Sequence, residues 1–318
     1  MTGRLKSIDV LRGLAASAVV LRHSDDRFLF GSIGVDFFFV ISGFVMAQLY
    51  RDRSAAQFLF DRAWRIFPIY WVALLPWLFI RPDVSADGTI ASFLLLPNWF
   101  GMFGTYLGVA WTLLFELLFY AGVALAMRVG SFLLPILIFA VALVARPYVD
   151  QPMIHFLGNP MIFEFLFGVA IACLPLRRVV GLTLIAAGVL WLALFPNSGL
   201  EDYRVAMSYG PAVSRVLLWG FPAAAIVYGL LTMESAFKGW LVDKLLVLGA
   251  ASYSIYLVHT LVTKNVALWW PAEFVFAVMA GTALWWAVER PILARKPRWF
   301  AKRKVAQSPS EMPATQTI

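Results

Sequence analysis

Cysteine is almost missing from this chain. One residue of 318, Cys173, carries a thiol, and it lies in the apolar run VAIACL. That excludes an intramolecular disulfide and any multi-cysteine metal site, and the thiol reads as packing. Histidine is nearly as scarce, with three residues, and none stands at HxxxH or HxxE spacing. No metal site is therefore expected. There is no G-x-S-x-G and no Walker loop, so neither a serine hydrolase nor an NTPase is supported. No repeat of 20–50 residues is visible, which argues against solenoids and repeat-built transporters. Charge is the largest deficit. Only 14% of residues are Asp, Glu, Lys or Arg, where a soluble domain has about a quarter.

What fills the gap is apolar. Hydrophobic residues make up 61% of the chain and the mean hydropathy is +0.79. The chain reads as an all-α integral membrane protein. A bilayer core of about 30 Å needs about 20 apolar residues per helix. That ruler finds ten spans: 8–24, 33–50, 64–80, 107–127, 131–147, 160–175, 179–195, 212–231, 245–263 and 268–289. FLLLPNWF at 93–100 is too short to cross and reads as re-entrant or interfacial. No N-terminal stretch reads as a cleavable signal, because the first apolar run already carries Arg12.

With ten spans, 18 of the 26 Lys and Arg residues fall on the side of the N-terminus. The positive-inside rule makes that side cytoplasmic, with both termini inside. Arg22, Arg27, Arg81, Arg146, Arg204, Arg215 and Lys264 fall on the other side. The net charge of +8 is explained by this bias and by a basic tail, with no call for nucleic acid. Residues 1–296 form one transmembrane domain. Residues 297–318 begin basic and end polar, as a cytoplasmic tail that touches anionic lipid and then becomes disordered.

Ionisable residues inside a bilayer are costly and mark functional sites. Arg12 and His23 both lie in the first span, in DVLRGLAASAVVLRHSDD. Eleven residues is almost three helical turns, so they share a face roughly 16 Å apart. Arg62 and Arg65 open the third span in FLFDRAWRIFPIYW. With Arg12 they are candidates for a basic pocket around a phosphorylated ligand, since guanidinium forks suit phosphate. The plainer alternatives are positive-inside anchoring and an Asp9–Arg12 pair. Glu116 sits near the middle of the fourth span, where a lone carboxylate must face the bundle interior, hold a proton or pair with a cation. Asp36, Glu164 and His259 join His23 in the outer half. Asp36 also suits a helix N-terminus, and a lone interfacial histidine such as His259 is often only tolerated.

These segments resemble, in order, those of the membrane-bound acyltransferase-3 family. The parts are IDVLRGLAASAVVLRH with its R-x10-H spacing, GVDFFFVISGF, FLFDRAWRIFPIYW with an R-x-x-R, WTLLFELLFY, NPMIFEFLFG and SYSIYLVH. The resemblance covers nearly the whole chain. It implies transfer of an acyl group, most often acetyl, from cytoplasmic acyl-CoA to a hydroxyl of an extracytoplasmic or lipid-linked saccharide. It also implies the bacterial inner membrane, acetyl-CoA as co-substrate rather than a tightly bound cofactor, and Arg12, His23, Arg62, Arg65, Trp111 and Glu116 as functional positions. Many members read W-S-L with two adjacent acids, where Thr112 and Leu117 stand here. That variant looks more like the exopolysaccharide-modifying branch. The hydrolase-like domain appended in some members is not in this sequence.

His23 is expected to act as general base on the hydroxyl, with Asp36 or Glu116 orienting its imidazole. An acyl-histidine intermediate is an open alternative. His259, Glu164 and Trp111 are expected to contact substrate. The competing reading from another class is a proton-coupled exporter of a small anionic or lipid-linked compound. In it Arg12 is the counter-ion and His23 or Glu116 the relay.

Overall fold

The computed structural model describes residues 5–50, 54–82, 84–96, 106–195, 199–200 and 208–297. The expected tail after Pro297 lies outside the described residues, as do Arg4, Arg51, Arg53 and Arg204 and the second half of the 93–100 stretch. All regular structure among the described residues is helical. In chain order we label α1 Lys6–Ser24, α2 Gly34–Leu49, α3 Ala55–Ile80, α4 Ala86–Leu94, α5 Trp111–Val129, α6 Leu133–Ala145, α7 Pro152–Leu157, α8 Ile162–Cys173 and α9 Arg178–Leu194. They are followed by α10 Tyr209–Thr232, α11 Trp240–Asn265 and α12 Trp270–Ala294.

Among the described residues, seven helical stretches are long and apolar enough to cross a membrane. They are Asp26–Leu49, Ala55–Ile80, Gly108–Val129, Pro152–Cys173, Tyr209–Thr232, Trp240–Asn265 and Trp270–Ala294. The other three expected spans fall on shorter or more charged helices. α1 carries Lys6, Asp9, Arg12 and Arg22. α6 has 13 residues and α9 has 17, rising about 20 and 26 Å at 1.5 Å per residue.

Lipid tails are as apolar as leucine, so helices associate through close packing. Glycine supplies it here at two crossings. α1 meets α11 where Gly13 faces Gly249; a Cβ on Gly13 would lie 2.8 Å from the Gly249 nitrogen, and one on Gly249 would overlap the Asp9 carbonyl. α2 meets α8 in the same way, with Gly43 against the Phe165 carbonyl and Gly168 against that of Val40. Beside this second crossing the rings of Phe39, Phe165 and Phe119 stack at 4.4 and 4.7 Å. α5 is the most deeply enclosed of the seven, and α12 the most lipid-exposed.

Two helices carry a π-helical turn, Val216–Gly220 in α10 and Trp285–Glu289 in α12. Each precedes a proline, Pro222 and Pro291. Proline cannot donate to the previous turn, and a wider turn absorbs the missing bond. Both turns bring a polar group into the interior, with Arg215 entering the first and Glu289 closing the second. The N-terminus of α1 is capped from a distance. The Glu234 carboxylate accepts from the backbone N–H of Lys6 (2.6 Å) and Ser7 (3.0 Å), a favourable place for an anion.

Candidate active site

The interior polar residues sort into three groups. The first surrounds a cavity of about 100 Å³ between α1, α2, α3, α5 and α11. That is space for several water molecules. Arg12, Arg62, Arg65 and Glu116 all line it, joined by Ser42, Thr112, Tyr120, Ser252, Tyr253 and Tyr256. The three arginines, from α1 and α3, thus share one partly open cavity. Arg12 feels its neighbour Arg65 and the carboxylates of Asp9, Glu116 and Glu289. Glu116 accepts hydrogen bonds from the hydroxyls of Tyr120 and Ser42, the latter at 3.4 Å. Two buried polar atoms of the lining, Arg62 Nε and Ser252 Oγ, have no hydrogen-bond partner among the described residues. A partly open cavity with cationic walls and unpaired donors suits an anionic ligand.

The second group is the histidine pair. His23 ends α1 and is exposed; His259, on α11, is fully buried. Their rings meet edge-on with centroids 4.7 Å apart. His23 Nδ1 lies 2.9 Å from the Val19 carbonyl, and His259 Nδ1 lies 2.7 Å from that of Tyr256. A carbonyl only accepts, so in the neutral ring each Nδ1 carries the proton and each Nε2 offers a lone pair. His259 Nε2 is buried without a hydrogen-bond partner among the described residues. Tyr256 links this pair to the cavity. Its ring is 5.7 Å from His259, and its hydroxyl bonds to Thr112 Oγ1 at 2.9 Å and donates to the Val109 carbonyl at 3.1 Å.

The third group corrects the expected partner of His23. Asp36 does not orient that imidazole. It is fully buried and held by Arg215, whose Nη2 and Nε donate to its two oxygens at 2.8 and 3.1 Å. Arg215 also donates to the carbonyls of Leu200 (2.8 Å) and Ser32 (3.2 Å), and it packs 5.0 Å over the Trp219 ring. An arginine counted on the outer side from the sequence, near the start of the expected span 212–231, is thus an interior residue: it lies within α10 and is 1% exposed. Glu116 is likewise not beside His23, since its partners are on the cavity. Nor is Asp25 available to His23. It is bound by the Arg27 side chain at 2.7 Å, and the Arg27 guanidinium holds its carboxyl below the usual carboxylate range.

Of the residues expected to contact substrate, only His259 reaches the histidine pair. Glu164 is fully buried beside Asp36 and Arg215, packed on Gly220, away from the cavity lining. Trp111 is a packing residue at the start of α5, with its ring edge-on to Phe39 and Phe115. The sequence reading missed Arg215, Tyr256 and Glu289. Glu289 had a readable signal, a carboxylate in the apolar run ALWWAVE. Tyr256 had none, because tyrosines are common in membrane helices.

Fold and site define a multi-pass helical membrane protein with an arginine-walled internal cavity one helical turn from a pair of histidines. The profile of a family described as "Acyltransferase domain" matches residues 5–290, and the chain belongs to this acyltransferase-3 family of membrane-bound acyltransferases. It is similar to "Exopolysaccharide production protein ExoZ" of Rhizobium meliloti (strain 1021), with 33% identity over 302 residues, 85% of this chain and 92% of the relative. It is also similar to "Putative membrane-bound transacylase BcsY" of Komagataeibacter xylinus, with 29% identity covering 87% of this chain and 78% of the relative. A shorter match, 31% identical over 112 residues, joins 30% of this chain to 18% of "Peptidoglycan O-acetyltransferase OatA" of Listeria monocytogenes. No solved structure matches. Family membership sets aside the exporter reading.

Proposed function

We propose that the protein transfers an acetyl group from cytoplasmic acetyl-CoA to a hydroxyl of an extracytoplasmic or lipid-linked saccharide in the bacterial inner membrane. Similarity to the exopolysaccharide production protein makes an exopolysaccharide or its lipid-linked precursor the acceptor to try first. In this reading α1, α6 and α9 also cross, giving ten spans with both termini in the cytoplasm. The observation that carries the proposal is the placement of Tyr256. It lines the arginine cavity and packs near His259, which in turn touches His23.

The chemistry runs along that line. Arg12, Arg62 and Arg65 hold the donor's phosphates, and the thioester end reaches toward Tyr256. The hydroxyl arrives at exposed His23. His23 Nε2 takes the hydroxyl proton as the oxygen bonds to the thioester carbonyl carbon. The C–S bond then breaks, and the departing thiolate receives a proton to leave as the free thiol. Backbone anchoring of Nδ1 at Val19 fixes the tautomer that leaves Nε2 basic. A thioester is already activated, so general-base assistance of about 10²–10⁴-fold is the expected share of the histidine.

The test is thiol release from acetyl-CoA by protein in proteoliposomes, with and without saccharide acceptor. Wild type should show acceptor-stimulated release. His23→Ala should lose it by at least about 10²-fold while remaining folded in the membrane. Normal transfer by that variant removes His23 from the chemistry.

A further inference from the structure

Glu289 has no part in the reaction described above. Its side chain is 1% exposed, and it closes the π-helical turn of α12. Ser254 serves it: its Oγ donates to Glu289 Oε2 at 2.6 Å. Ser254 belongs to the stretch of α11 whose neighbours Ser252, Tyr253 and Tyr256 line the arginine cavity. A buried carboxylate served only by neutral donors is expensive unless a cation compensates it.

The cations are at hand. Arg12 and Arg65 act on the Glu289 carboxylate through their charge, across the interior and without a direct ion pair. The backbone around them is fixed to the Glu289 segment by two hydrogen bonds. Trp64 Nε1 donates to the Ile292 carbonyl (3.2 Å), three residues beyond Glu289. The Tyr253 hydroxyl donates to the Ile66 carbonyl (2.9 Å). The turn Trp64–Ile66, with Arg65 at its centre, is therefore gripped by α11 and α12 with Glu289 behind it. Arg12 and Arg65 repel one another across the cavity. A counter-charge nearby offsets that repulsion.

We propose that Glu289 is a positioning residue that holds Arg12 and Arg65 in place to receive the phosphates of the acyl donor. The inference rests on the donor reading given above. It identifies the C-terminal end of α12, which does not line the cavity, as part of the donor site.

The experiment is a donor titration of the full-length protein in proteoliposomes, using acetyl-CoA, for Glu289→Gln, Arg65→Gln and the double variant. Glu289→Gln should raise the donor KM about tenfold and leave kcat within about twofold. The double variant should be worse than Arg65→Gln by clearly less than the product of the two single effects, because the Glu289–Arg65 interaction is already lost and only Arg12 is still served. Glu289→Asp should recover part of the affinity, and Ser254→Ala should raise KM in the same direction by less. If Glu289→Gln does not fold, these last two carry the test. An unchanged KM, multiplying penalties in the double variant, or a fall in kcat alone overturns the inference. If Arg12→Gln and Arg65→Gln also leave KM unchanged, the donor reading has failed and takes this inference with it. If they raise KM while every Glu289 and Ser254 variant leaves it unchanged, the donor reading stands and only the role of Glu289 is refuted.

Discussion

Asp36 lies in the GVDFFFVISGF segment, where its exposure to a catalytic histidine was the natural expectation. Its replacement separates two explanations of such a residue. The carboxylate is fully buried and bidentate with Arg215. Asp36→Ala leaves the guanidinium buried with two backbone carbonyls, Leu200 and Ser32, the face of Trp219 and the neighbouring Glu164 carboxyl, which does not bond to it. Removing one partner of a buried pair typically costs about 3–5 kcal/mol, a large share of a total near 5–15 kcal/mol. The variant should therefore unfold at much lower temperature in detergent and accumulate poorly in membranes. Asp36→Leu combined with Arg215→Met removes the stranded charge and should recover part of the stability. The recovery is partial because the two carbonyls lose their donor, at about 1–3 kcal/mol each. Thermal unfolding by intrinsic tryptophan fluorescence, read beside acetyl transfer, gives the answer. An Asp36→Ala protein with wild-type stability and no transfer would refute the lock and return Asp36 to the chemistry.

Other expectations follow from the same geometry. His259→Gln should lower kcat while leaving the donor KM in place, because His259 touches His23 and does not line the cavity; steady-state kinetics at saturating donor separates the two. Gly249→Val should destabilise the bundle by about 3 kcal/mol, the upper end of what overpacking typically costs, since even a Cβ there overlaps the Asp9 carbonyl. A normal melting temperature would show that α1 and α11 can separate at that crossing. Glu116→Gln should weaken transfer with little change in fold, because its hydrogen-bond donors, Tyr120 and Ser42, can bond an amide oxygen as well. Aggregation of that variant would make Glu116 a structural charge.

The sequence by itself determined the class of protein. Scarce charge and long apolar runs leave a helical membrane bundle as the only way to satisfy the backbone in lipid. Eleven residues between Arg12 and His23 place them on one helix face, because helical periodicity is a local property. The arginines of the third span and the ordered family segments were legible for the same reason. What the tertiary structure decided was pairing. Which carboxylate meets which cation depends on contacts between helices far apart in the chain, such as Asp36 with Arg215 and Ser254 with Glu289. No local pattern encodes those contacts. The sequence therefore named the charged residues of the interior, but packing at glycine crossings and π-helical turns divided them among a cavity, a histidine pair and a buried lock.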